Sequence, residues 1–206
     1  MKFSEQNFTF LAWTVTATVA VLAILAWGQG IGWQLGSLST YGIFPLLGLL
    51  AFSLMWSMYA VGFGRRRWQV GNLGLSQYYK VIPLVILAAI LLHPGLLVWQ
   101  LWRDGFGLPP ESYWQHYVVP AARWAVLISS TAWLVFIAYE LRYRYRQKSW
   151  WKYMETLADL ALIGIYFHAL RLGSQLQHGW FRYVWYFYGL SLAVFLIDSY
   201  RRKITV

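Results

Sequence analysis

Six apolar runs, each near the length of a bilayer crossing, dominate this sequence. They are roughly Phe8–Gly28, Tyr41–Phe63, Tyr79–Trp102, Tyr117–Glu140, Lys152–Leu172 and Trp180–Tyr200. A membrane helix needs about 20 residues to cross the hydrocarbon. Inside lipid every backbone N–H and C=O must be satisfied without water, which leaves helices or a closed barrel. No segment alternates as barrel strands do. The expected fold class is therefore all-α: a polytopic membrane protein, one six-transmembrane-helix bundle over residues 1–206, with no soluble domain. Only 12% of the residues are charged, against about 25% in soluble domains. The first run lacks a basic leader and a small-residue cleavage site, so it is expected to be a retained helix.

The charges between the runs set an orientation. Lys2, Arg65, Arg66, Arg67, Lys80, Arg142, Arg144, Arg146, Lys148, Lys152, Arg201, Arg202 and Lys203 fall on one side, thirteen of the 17 Lys and Arg. Only Arg103, Arg123, Arg171 and Arg182 fall on the other. The positive-inside rule then places both termini in the cytoplasm. It also accounts for the formal charge of +10 with no nucleic-acid partner. Trp99, Trp102, Trp114, Trp150, Trp151 and Trp180 sit at the expected boundaries, as an aromatic belt does.

Several chemistries are excluded. The chain has no cysteine, so disulfides, thiol catalysis and iron–sulfur ligation are out. No GxGxxG or Walker stretch is present, so no nucleotide, flavin or nicotinamide domain is expected. The loop histidines His116 and His178 have no metal-ligand spacing of a known kind.

Polar groups at membrane depth are costly and tend to mark function. His93 lies in LVILAAILLHPGLLVWQLW and His168 in WWKYMETLADLALIGIYFHALRLG. These runs cross in the same direction in the six-helix topology. His93 follows Lys80 by 13 residues and His168 follows Lys152 by 16. At helical rise the two imidazoles lie about 20 and 24 Å from the inner boundary, within one turn of the same depth. Matched depth is what bis-histidine ligation of one haem requires. The competing reading is a pair of interhelical hydrogen bonds. Pro94 and Gly95 follow the first histidine, and Gly95 would let a flat macrocycle approach closely. Arg123 and Arg171 lie near the outer level and suit the two propionates, or snorkel to the interface. Arg103, at the outer end of the third run, has the same two readings.

Six helices with histidines on the third and fifth resemble the ferric reductase-like transmembrane domain. That family includes a bare haem b membrane subunit, without flavin, of the periplasmic methionine sulfoxide reductase system, which is similar in size to this chain. The segment WKYMETLADLALIGIYFHAL is similar to that family's W-x-x-L-H stretch followed by a second His 13 residues later. Trp151 then matches the Trp, Met154 the Leu, Glu155 the first His and His168 the second. His93 matches the outer ligand of the third helix, and Tyr79, 14 residues earlier, stands where the inner ligand would be. The resemblance implies one haem b near the outer face and loss of the inner site on both helices. It also implies a quinone or a partner subunit as redox partner, in a bacterial cytoplasmic membrane.

The expected function is therefore that of a membrane b-type cytochrome passing electrons between a quinol or partner subunit and an acceptor. Two alternatives stay open: a haem-free interaction or assembly subunit of the same fold, and a quinol-linked metal or sulfoxide reductase subunit. A homo- or hetero-oligomer is compatible with each. In the inner half, Glu155 and Asp159 share one helix face. Asp159 is expected to bond Ser57, Ser129, Ser130 or Thr131, or to accept a proton beside a quinol. Glu140 and Asp198 are expected to pair with neighbouring arginines.

Overall fold

The structure is a computed structural model that describes residues 4–71 and 73–204. Lys2 lies outside the described residues, as does the side chain of Lys203. The chain is helical, with no strand among the described residues. The long helices are α1 (Glu5–Gly30), α2 (Thr40–Trp68), α3 (Ser76–Arg103), α4 (Arg123–Tyr139), α5 (Trp151–Leu172) and α6 (Phe181–Ile204).

Four segments are long and apolar enough to cross a membrane: α1, α2, α3, and α4 extended back to Pro120. Their outward surfaces carry side chains that a water-soluble protein would bury. Phe10 on α1 is 74% exposed and Leu84 on α3 is 65% exposed. Apolar surface on this scale needs a lipid or protein cover, and this is the signature of a membrane protein. α5 and α6 have the length, 22 and 24 residues, but are less apolar. α5 carries Lys152, Glu155, Asp159 and Arg171, and α6 opens with Tyr183, Trp185, Tyr186 and Tyr188.

Local chemistry sets the helix ends. Ser4 caps α1, its Oγ accepting from the Asn7 N–H at 3.1 Å, and Glu5 sits in the positive first turn. α2 closes on Gln69 in the left-handed region (φ 53°) with Arg65, Arg66 and Arg67 in its last turn, where cations complement the helix dipole. It runs five residues past the apolar stretch, and there Arg66 pairs with Asp198 at 3.2 Å while Arg67 is exposed. The fourth helix begins at Arg123 rather than Tyr117. Val119 is extended (ψ 146°) ahead of Pro120, as the residue before a proline tends to be, and Tyr113–Tyr117 forms a separate π turn.

The helices group into two compact units. Residues 1–94 and 178–206 form the first, and residues 95–177 the second. In the first unit α2 is the central element: half of its most apolar window is buried, against 28% for α1 and 22% for α3. α1 packs on it through small residues such as Ala12, Ala23 and Ala26. α6 packs through rings, with Phe52 against Trp185 (centroids 4.4 Å) and Trp56 stacked on Tyr188 (4.6 Å). A buried hydroxyl triad ties α1, α2 and α3. Thr16 Oγ1 lies 3.1 Å from Ser57 Oγ and 3.0 Å from the Tyr78 hydroxyl, and Ser57 donates to the Leu54 carbonyl. Hydroxyls buried at membrane depth must bond one another or the backbone.

In the second unit α4 and α5 lie side by side. Gly164 makes that approach possible, since a Cβ there would stand 2.8 Å from Ile128 Cγ2. One end of this pair carries a cluster of Val118, Ala122 and Val126 with Tyr113, Trp114 and Leu172 around it.

Candidate functional site

His93 and His168 occupy seats of the same design, one in each unit. On α3, His93 Nδ1 lies 2.7 Å from the carbonyl of Phe44 on α2. On α5, His168 Nδ1 lies 3.0 Å from the carbonyl of Ala125 on α4. A carbonyl oxygen only accepts, so in both cases Nδ1 carries the proton and donates. In the neutral ring this fixes the tautomer with its lone pair on Nε2. Metal-ligating histidines are commonly held this way, the second ring nitrogen donating to a carbonyl that sets the ring's orientation.

Helix packing makes each seat. Gly48 lies one turn beyond Phe44 on α2, and the imidazole presses on it: a Cβ there would fall 2.8 Å from His93 Cε1 and 3.0 Å from Nδ1. The Phe44 ring lies 5.4 Å from the imidazole at 36°. Gly164 lies one turn before His168 on the same face of α5, and draws α5 toward α4 so that Nδ1 reaches Ala125.

The other sequence-derived site residues fall as follows. Gly95 stands in open space, with nothing within 4 Å of where a Cβ would project; the glycine pressed on an imidazole is Gly48. Arg123 Nη2 donates to the Trp114 carbonyl at 3.1 Å, and its guanidinium lies 5.6 Å from the Trp114 ring centroid. Arg171 is exposed, one turn past His168. Arg103 lies over the Trp99 ring at 4.8 Å and 3.9 Å from Asp104. His116 stacks on Phe106 at 4.2 Å, and His178 is exposed.

Tyr79 meets Tyr78 edge to face at 5.4 Å, within the field of Arg65 and Arg66. Three hydroxyls expected to serve Asp159 donate elsewhere. Ser57 donates to Leu54, Ser129 to the Val126 carbonyl and Thr131 to the Leu127 carbonyl. A hydroxyl has one proton, and a helix offers a carbonyl within reach of it. Glu155 and Asp159 instead share an electrostatic neighbourhood with Tyr139, Arg142 and Arg146. The expected ion pairs form: Glu140 with Arg142 at 2.7 Å, and Asp198 with Arg66 at 3.2 Å and Arg202 at 3.0 Å.

Sequence reasoning missed four residues of these seats: Phe44, Gly48, Ala125 and Gly164. Two contribute backbone carbonyls, which carry no side-chain signal. Gly164 was within reach, lying i−4 to His168 in an apolar helix. Among the described residues no three His, Cys, Asp or Glu side chains group as a metal centre; a haem iron needs only two axial nitrogens. No family model, curated protein or solved structure matches this chain.

Proposed function

We propose that this chain is a six-helix membrane cytochrome b with both termini in the cytoplasm, binding one haem b through His93 and His168. The observation that carries the reading is the doubled seat: each imidazole donates Nδ1–H to a carbonyl of its neighbouring helix. That donor set fits the group, because bis-histidine ligation takes one neutral ring nitrogen from each side. Apolar side chains exposed along α5 and α6, such as Leu160 and Leu190, support counting them as the fifth and sixth spans.

The haem, when bound, supplies a one-electron couple. The protein's residues do the rest. The Phe44 and Ala125 carbonyls orient the two rings, Gly48 gives the His93 ring room, and Gly164 lets α5 come close enough to α4 for His168 to reach Ala125. Arg123 and Arg171 supply positive charge for the propionates, and Gly95 leaves space for the macrocycle edge. Electrons come from a quinol or a partner subunit and leave to an acceptor outside this chain.

A second reading rests on the same bonds. A histidine that donates to a neighbouring carbonyl is also interhelical glue, as in a haem-free interaction subunit. The visible spectrum of the purified protein separates them. The cytochrome shows a dithionite-reduced α-band at the b-type position and one haem per chain, both lost in His93→Ala and His168→Ala. Protein that takes up no haem when haem is supplied during expression defeats the reading. Two haems per chain defeat the assignment of Tyr79 and Glu155 as replaced ligands.

A further inference from the structure

The second unit carries a basic connection, between α4 and α5, that the cytochrome reading does not use. From 141 to 154 the sequence is LRYRYRQKSWWKYM, five cations interleaved with five rings and no Asp or Glu. The backbone is folded into successive turns. A short helix, Arg142–Tyr145, comes first. The Lys148 N–H then donates to the Tyr145 carbonyl and the Trp151 N–H to the Lys148 carbonyl, each at 2.9 Å. Because α4 and α5 lie side by side, so short a connection stays at their shared end. That is the level at which α4, as a span, leaves the lipid tails.

The charges of this connection are not used up inside the protein. Arg142 is taken by Glu140 at 2.7 Å. Arg144, Arg146, Lys148 and Lys152 are exposed, and among the described residues none of the four has an ion pair. In the first unit, by contrast, Asp198 engages both Arg66 and Arg202. Orientation by the positive-inside rule needs only a count of cations; it does not need four of them unneutralised among rings. Arg144 lies over the Tyr145 ring at 5.9 Å and Lys152 over the Tyr153 ring at 5.2 Å. A guanidinium set over a ring keeps its N–H edge for a phosphate oxygen. Trp150 is 45% and Tyr153 63% exposed, and such rings settle at headgroup depth. We propose that the α4–α5 connection binds the headgroups of acidic phospholipids, of the phosphatidylglycerol class. A zwitterionic headgroup offers less, because its own ammonium offsets the phosphate. The inference rests on the membrane reading of the chain and not on haem, so a haem-free protein leaves it standing.

The test uses the full chain in mild detergent, titrated with phosphatidylglycerol or phosphatidylcholine of the same acyl chains and read by native mass spectrometry. Wild type is expected to bind phosphatidylglycerol about tenfold or more tightly, with the preference falling as ammonium acetate is raised. One cation at an anionic surface contributes about a factor of five, so Arg146→Gln should weaken binding about fivefold. Arg144→Gln, Arg146→Gln and Lys148→Gln together should bring phosphatidylglycerol to the phosphatidylcholine level. Arg182→Gln makes the same charge change at an exposed position of α6 and should leave the preference intact. Equal affinity for the two lipids, a preference that survives the triple variant, or one that Arg182→Gln removes equally overturns the proposal. So does glycerol phosphate bound as tightly as the lipid, which makes the connection a free-phosphate site. Oligoglutamate or an oligonucleotide bound in preference to phosphatidylglycerol overturns it as well. A chain that stays dissolved without detergent defeats the membrane reading and this inference together; one that needs detergent but shows no lipid preference defeats this inference alone.

Discussion

Gly48→Ala is the sharpest perturbation of the His93 seat. The new Cβ would stand 2.8 Å from Cε1 and 3.0 Å from Nδ1, where carbon atoms prefer about 3.5–4.0 Å. The ring must therefore retreat by about 0.7–1 Å. Phe44 lies one turn earlier on the same helix, so retreat from Gly48 is also retreat from the carbonyl. The 2.7 Å bond lengthens toward the limit of a hydrogen bond at about 3.5 Å. Overpacking costs about 1–3 kcal/mol and the lost interhelical bond about 0.6 kcal/mol. The better helix propensity of alanine offsets up to about 1 kcal/mol. A net loss of about 1–2 kcal/mol is expected in thermal unfolding. Loss of the orienting carbonyl is expected to weaken haem about 10- to 100-fold. Haem titration followed by the reduced-minus-oxidised spectrum measures the second effect, and Gly95→Ala, in open space, is the control for stability. A Gly48→Ala protein with wild-type haem content, spectrum and unfolding temperature refutes the seat.

His168→Asn separates ligation from glue. The asparagine amide donates to Ala125 as Nδ1–H does but does not replace an axial imidazole, so near-wild-type stability with haem lost is expected by spectrum and thermal unfolding together. Tyr78→Phe removes one hydroxyl from the triad with Thr16 and Ser57, and should lower stability by about 0.6–1.7 kcal/mol with haem content unchanged. The cysteine-free chain suits single-cysteine labelling with an impermeant reagent. Gln147→Cys should react only from the cytoplasmic side and Gly107→Cys only from the outer side, and the reverse pattern defeats the orientation.

How much of this was legible in the sequence depended on which atoms carry the information. The helices were legible because lipid demands about 20 apolar residues each. Their ends were less so, since hydropathy falls at Phe63 while the backbone of α2 continues to Trp68. The start of α4 required weighing Pro120 above the apolar residues around it. The ion pairs of Glu140 and Asp198 were legible because their partners lie nearby on the same charged face. For Asp159 the sequence offered four hydroxyls and no way to rank them: Ser57, Ser129 and Thr131 donate to carbonyls on their own helices, and sequence does not say which of two acceptors a hydroxyl takes.

The histidine seats join both cases. His93 and His168 stood out as imidazoles at membrane depth, but the groups that hold them did not. Phe44 and Ala125 act through carbonyls that any residue would supply, and their identities matter only through position. Gly48 acts through an absent side chain, beside a histidine 45 residues away in sequence. Interhelical glue alone needs only one donor, which asparagine, glutamine or serine could provide at lower bulk. Imidazole adds a second, basic nitrogen, and a seat that fixes the proton on Nδ1 at both positions keeps that basicity on Nε2. That shared tautomer is what ligation requires; interhelical glue made by the same bonds takes the same form, and haem binding is what separates the two.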